Sequence, residues 1–238
     1  MNKAPSPPSS AVAPSWCAWH PWLPWAAPFV VYVAILASRD YLPLDAASNH
    51  LLRLLLSGGI ILFCSRKLFS LRPVAPLGSV LVGIAVFLVW VAPDALFPGY
   101  RSHWLFSNSL LGHFDPNANA EMATAPASFF ALRIAVSMLL VPILEELFWR
   151  GFIMRILIRN DFESVPLGTW QRNAFLLTAL LFALEHGVYW DVGLAAGLAY
   201  NAWMVRTKSL GDLIWAHAIT NGLLAAYVIV LGKWEFWP

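Results

Sequence analysis

The stretch MLLVPILEELFWR, residues 138–150, places two adjacent carboxylates and a guanidinium in one of the most apolar runs of the chain. A charge at the centre of a bilayer costs at least ~2.5 kcal/mol on the mildest scale. A lipid-facing helix cannot carry three, so the stretch predicts a helix inside a bundle with its charges turned inward. Helical spacing then divides the charges. Glu146 and Arg150 stand at i and i+4 with the acid on the N-terminal side, the better order for an ion pair. Glu145 points ~100° away from Glu146 and lacks that partner. Glu146 is read as structural and Glu145 as chemical. Pairing lets Glu146 keep its charge in a poor dielectric.

The rest of the chain agrees with a membrane bundle. It has 238 residues, 59% apolar and 12% charged, whereas soluble domains carry about 25% charged residues. The apolar runs are long and continuous, which excludes a transmembrane β-barrel of short alternating segments. A net charge of +2 is too small to suggest a nucleic-acid partner. The expected partners are membrane lipids and a membrane-associated peptide or protein. Of the Trp residues, Trp19, Trp22, Trp25, Trp104, Trp190, Trp234 and Trp237 fall near expected span ends, as interfacial belts do. Cys17 and Cys64 allow a disulfide but nothing requires one. Residues 1–20 read as a disordered tail rich in Pro, Ser and Ala, without a compact apolar segment directly after Lys3.

An all-α transmembrane bundle of seven helices is expected, with eight as the alternative. The spans are Trp22–Ala37, Leu51–Cys64, Leu77–Leu96, Phe129–Ile158, Asn173–Gly187, Val188–Val205 and Leu210–Leu231. A long loop, Phe97–Ser128, separates N-terminal helices (21–128) from a catalytic core (129–238). Arg66, Lys67, Arg72, Arg150, Arg155, Arg159, Arg172, Arg206 and Lys208 fall on one side, and the opposite loops hold mainly Arg39 and Arg101, which puts the N-terminus in the cytoplasm of a multi-pass inner (plasma) membrane protein. Arg53 and Arg133 sit within spans and are expected to snorkel or face the bundle. Gly193 and Gly197 form a small-residue face for close helix packing. His20, His50, His103 and His113 read as surface residues.

Two more polar clusters lie in apolar helices: FALEH (182–186) and HAITN (217–221). Counted from Arg159, Glu145 lies ~21 Å deep, and His186 and Asn221 lie ~20 Å deep from the same side. His217 lies ~14 Å deep. Glu145, His186, His217 and Asn221 can therefore meet in one cavity. A carboxylate and an imidazole can hold a water and take its proton. His217 and Asn221, one turn apart, can donate to a tetrahedral oxyanion. No Ser or Cys at this depth stands beside a His, which argues against a covalent nucleophile. No cofactor is needed for this chemistry. Zinc is the alternative, with Glu145, His186 and His217 as ligands and water in the fourth position. Glu185 and Asp212 are left as accessory or solvated groups. Outside enzymes, the same network fits an immunity or scaffold protein, or an ion relay.

The ordered set E-E-x-x-x-R, F-x-x-x-H and H-x-x-x-N, present as EELFWR, FALEH and HAITN, resembles the CAAX-protease and bacteriocin-processing (CPBP, or Abi) family. Its eukaryotic members are the type II CAAX prenyl endopeptidases. The match covers roughly Phe129–Leu231. In addition, APFVVYVAIL (27–36) is similar to a bacterial subgroup associated with exosortase sorting systems. The resemblance implies an intramembrane peptidase whose cavity opens to the cytoplasm. It implies that Glu145 and His186 activate water, that His217 and Asn221 form the oxyanion site, and that Glu146, Arg150 and Phe182 support them. It favours a metal-free glutamate mechanism, with zinc as the older view. Its substrates include prenylated proteins and bacteriocins.

Overall fold

The computed structural model describes residues 20–237. The expected disordered tail, with Cys17 and Trp19, lies outside the described residues apart from His20. The described residues form an all-α bundle of seven helices: α1 (Leu23–Ala37), α2 (Ala46–Ser65), α3 (Pro76–Leu96), α4 (Ala127–Ile156), α5 (Arg172–Leu184), α6 (Trp190–Thr207) and α7 (Leu210–Leu231). Of these, α2, α3, α4 and α7 are long and apolar enough to cross a bilayer, while α1 and α5 are shorter apolar helices of 15 and 13 residues. Leu176, Leu177, Leu180, Leu181 and Leu184 of α5 are all exposed. They form one helical face with no protein against it, as a lipid-facing stripe requires.

Local chemistry sets the helix ends. Asp45 accepts the Ser48 N–H at 2.7 Å and caps α2. That N–H holds the exposed Asp45 carboxyl below the usual carboxylate range. The cap starts α2 five residues ahead of the expected Leu51, and it overturns the surface reading of His50, now 5% exposed. Arg53 Nη2 lies 2.8 Å from His50 Nδ1, and Arg133 Nη1 lies 3.4 Å from Nε2. Both arginines thus face the bundle, and Arg133 also donates to the Trp237 carbonyl at 2.8 Å.

Helix α4 is one rod interrupted by two wide π turns, Val136–Leu140 and Leu147–Ile153. Pro142 follows the first of them. A proline removes one backbone donor and crowds the carbonyl four residues back, and a widened turn relieves that clash.

One core cluster joins all but α2, whose Ile61 packs in a second with Val136, Leu140 and Leu144 of α4. Trp25 of α1, Val86 of α3, Leu147 of α4, Phe182 of α5, Tyr200 of α6 and Leu213 of α7 belong to one buried cluster. Trp25 and Trp237 are each 5% exposed, so these two expected interfacial residues pack inside instead. Gly197 brings α6 onto α5: a Cβ there would stand 3.1 Å from Ala179 Cα. Asp212, left open by the sequence, is buried and structural. It accepts from Val74 N (2.7 Å), Ala75 N (2.8 Å) and Ser79 Oγ (2.9 Å), which ties α7 to the start of α3.

The two ends of the bundle differ. One end carries loops 66–75, 157–171 and 208–209, and is basic. The other carries residues 38–45, the long strap 97–126, the α5–α6 turn and residues 232–237. Arg101 pins the strap: its Nε donates to Asp94 at 3.0 Å, and its Nη1 donates to the Val188 carbonyl at 2.8 Å and to Asp191. Arg101 is therefore a buried ionic anchor and not a free loop cation.

Candidate active site

A cavity of about 850 Å³ opens among α1, α3, α4, α5, α6 and α7, and Glu145, Glu185, His186, His217 and Asn221 all line it. Three helices bring these residues together. On α4, Glu146 is fully buried and receives Arg150 Nη1 at 3.1 Å on both carboxylate oxygens. Arg150 also donates from Nε to Asn201 Oδ1 at 2.8 Å and from Nη2 to the Gly197 carbonyl at 3.4 Å. Its guanidinium stacks over Phe182, 4.6 Å from the ring centroid. Asn201 in turn donates to the Phe175 carbonyl at 2.8 Å. One buried cation thus links α4, α5 and α6.

Glu145 is placed differently. It lines the cavity, and its Oε2 is buried without a hydrogen-bond partner among the described residues. Nε2 of His217 lies 3.9 Å from it. On its other side, His217 Nδ1 lies 2.9 Å from Glu146 Oε1. Because that carboxylate can only accept, Nδ1 carries the proton. The His217 ring stacks on Tyr200, centroids 5.2 Å apart, and the Tyr200 hydroxyl donates to Thr220 Oγ1 at 2.8 Å. The histidine is therefore held in one orientation.

His186 stands just past the end of α5. Its Nδ1 donates to the Phe182 carbonyl at 2.7 Å, which leaves the Nε2 lone pair as its acceptor. Trp90 and Phe182 pack against the ring, with centroids 5.2 and 4.7 Å away. Gly187, with φ +54°, lets the chain turn sharply after it. Asn221 Nδ2 donates to the Ser137 carbonyl at 2.8 Å, inside the first wide turn of α4. The amide has a second N–H for a ligand.

The metal alternative changes membership in the structure. The potential ligands that gather within 4.8 Å of one another are Glu145, Glu185 and His186, without His217. Two carboxylates and an imidazole are a donor set a divalent cation accepts. Glu185, left aside in the sequence reading, also accepts Trp149 Nε1–H at 3.2 Å. Its place inside FALEH, directly before His186, is the signal that marks it. Asn201, Ser137 and Tyr200 carried no comparable signal except that Asn201 is a polar residue in an apolar helix.

Residues 127–223 match the family described as "Type II CAAX prenyl endopeptidase Rce1-like". No curated protein and no solved structure matches the chain. The matched segment runs from the start of α4 into α7 and contains all three motifs. By motif and by match, residues 127–223 are similar to the Rce1-like type II CAAX prenyl endopeptidases, within a chain that has four helices long and apolar enough to cross a membrane.

Proposed function

We propose that the protein is an intramembrane endopeptidase that cuts a membrane-associated protein near its C-terminus or a leader junction, with water activated by Glu145 and His186. One observation carries this reading: Glu145 offers a buried, unpartnered carboxylate oxygen to a cavity shared with His186, His217 and Asn221. A buried acceptor without a partner calls for a water or a substrate group. In this mechanism a water sits between the Glu145 carboxylate and His186 Nε2. Its oxygen forms a bond to the scissile carbonyl carbon as its proton passes to Glu145. The carbonyl oxygen becomes an oxyanion and meets the second Asn221 N–H and His217 Nε2–H. With Nδ1–H held by Glu146, His217 donates from Nε2 as the imidazolium. The C–N bond then breaks, and Glu145 returns the proton to the leaving amine. Glu146, Arg150 and Phe182 position the two histidines and do not touch the reacting atoms.

The trio Glu145, Glu185 and His186 supports a second reading. A divalent cation held there would polarise the carbonyl and the water. The deciding experiment uses purified protein in lipid vesicles with a library of membrane-anchored peptides. Glu145→Ala abolishes cleavage and leaves the fold intact. Undiminished cleavage by that variant overturns the assignment. Glu145→Gln separates the enzyme from an immunity or scaffold protein, whose biological effect would survive this isosteric change.

A further inference from the structure

We infer that the cavity admits its substrate from the non-cytoplasmic face of the membrane, so that the bond cut lies in a membrane-anchored polypeptide presented on that face. The word substrate rests on the peptidase reading above; the side of the opening stands on geometry and charge.

The geometry comes first. The exposed residues around the cavity are Ala37, Arg39, Asp40, Gly112, His113 and Asp115, together with Glu185 in the α5–α6 turn. All belong to the strap end. No residue of loops 66–75, 157–171 or 208–209 lines it. At the other extreme the cavity is floored by Val86, Phe182, Ala196, Tyr200 and His217. The exposed rim of the cavity, its mouth, therefore lies at the strap end.

Charge then assigns the ends. Arg66, Lys67, Arg72, Arg159, Arg172 and Lys208 cluster at the opposite end. At the strap end each cation outside the helices stands beside a carboxylate. Arg39 lies 3.6 Å from Asp40, Arg101 lies between Asp94 and Asp191, and Lys233 lies 3.6 Å from Glu235. An excess of Lys and Arg in short loops marks the cytoplasmic side. A cytoplasmic N-terminus and a cavity open to the cytoplasm, both expected from the sequence, therefore cannot hold together. The charge pattern keeps the first and reverses the second.

The depth of the cavity narrows the substrate class. His217 lies ~10 Å along α7 from Leu210 at the basic end and ~21 Å from Leu231 at the strap end. An extended chain covers ~3.3 Å per residue, so about six residues must separate the outer interface from the bond cut. That suits a segment drawn down from the outer leaflet. It does not suit the C-terminus of a cytoplasmic protein.

The test uses the full chain in intact bacterial cells, in a background with Cys17→Ser and Cys64→Ser. Leu110→Cys, at a strap position 90% exposed, should react with a membrane-impermeant maleimide. Arg159→Cys should react only after permeabilisation. A periplasm-dependent enzyme fused after the C-terminus should be active, a second measure that does not depend on the cysteine variants. The opposite labelling pattern overturns the inference, and it does so whether or not the protein cleaves anything. For entry itself, His113→Cys is labelled from outside with a bulky maleimide, and two single-span reporters carry the same cleavable segment on opposite faces. The outer reporter should be cut, and labelling should block the cut. Cleavage of only the inner reporter, or cleavage unchanged by complete labelling, overturns it. No cleavage of either reporter by the unlabelled protein sinks the peptidase reading instead, with the side of the mouth still decided by labelling.

Discussion

His217 donates its Nδ1–H to Glu146 Oε1 at 2.9 Å and turns the other edge of the ring toward Glu145, 3.9 Å away. Adjacent acids on one helix thus address the two nitrogens of one histidine on another. Glu146 fixes the ring, and the ring then presents Nε2 beside Glu145. The pairing of Glu146 with Arg150 matters to the site because it orients His217, apart from lowering the cost of two buried charges.

The two acids should respond oppositely to amidation. Glu146→Gln leaves Arg150 buried and uncompensated, and should destabilise the protein by about 3–5 kcal/mol. Glu145→Gln removes a carboxylate with an unpartnered oxygen and should leave stability unchanged or raised. It should lower cleavage by roughly 10²–10⁴-fold, the usual contribution of a general base. Thermal unfolding in detergent and cleavage of the vesicle library measure the two effects.

Asn221→Ala should reduce kcat by about 10²–10³-fold with KM little changed, as loss of an oxyanion donor does. A purely structural role through the Ser137 carbonyl would instead lower the unfolding temperature and raise KM with kcat. Steady-state kinetics on a single cleaved peptide distinguishes the outcomes.

Glu185 separates the metal-free and metal readings. In the water mechanism, Glu185→Gln should keep most activity, because an amide oxygen still accepts Trp149 Nε1–H. Chelation should also leave cleavage unchanged. A large loss in both experiments, with recovery on adding zinc, would transfer the mechanism to the metal.

Asn201→Ala removes the acceptor for Arg150 Nε and the donor to the Phe175 carbonyl. It should cost about 1–3 kcal/mol through the buried partner left unsatisfied. Gly197→Ala should cost a similar amount by pressing a Cβ onto Ala179. Denaturation of each variant in detergent checks these values.

How far the site was legible in the sequence follows the range of each interaction. The Glu146–Arg150 pair lies within one helical turn, so spacing alone points to it. The bond from His217 to Glu146 joins α7 to α4, and no local pattern encodes it. Helix lengths placed His186 and Asn221 at similar depth, but not the Phe182 and Ser137 carbonyls that orient them. His50 was misread because the Asp45 cap went unrecognised, which moved the start of α2. The mouth of the cavity escaped for another reason. Its position depends on where the strap packs, and Gly112 and Pro116 signal only that the chain turns.

The anchoring of that strap divides labour along its length. Arg101 locks one end onto Asp94, Asp191 and the Val188 carbonyl, while Leu111, Gly112, His113, Phe114 and Asp115 form part of the wall around the mouth. Glu145, His217 and Asn221 sit on the helices below and His186 in the turn after α5, and none of them belongs to this rim. The rim can therefore diverge in shape and charge while Glu145, His186, His217 and Asn221 stay fixed, and under the peptidase reading proposed above a graft of this short segment should change which peptides are cut without rebuilding the core.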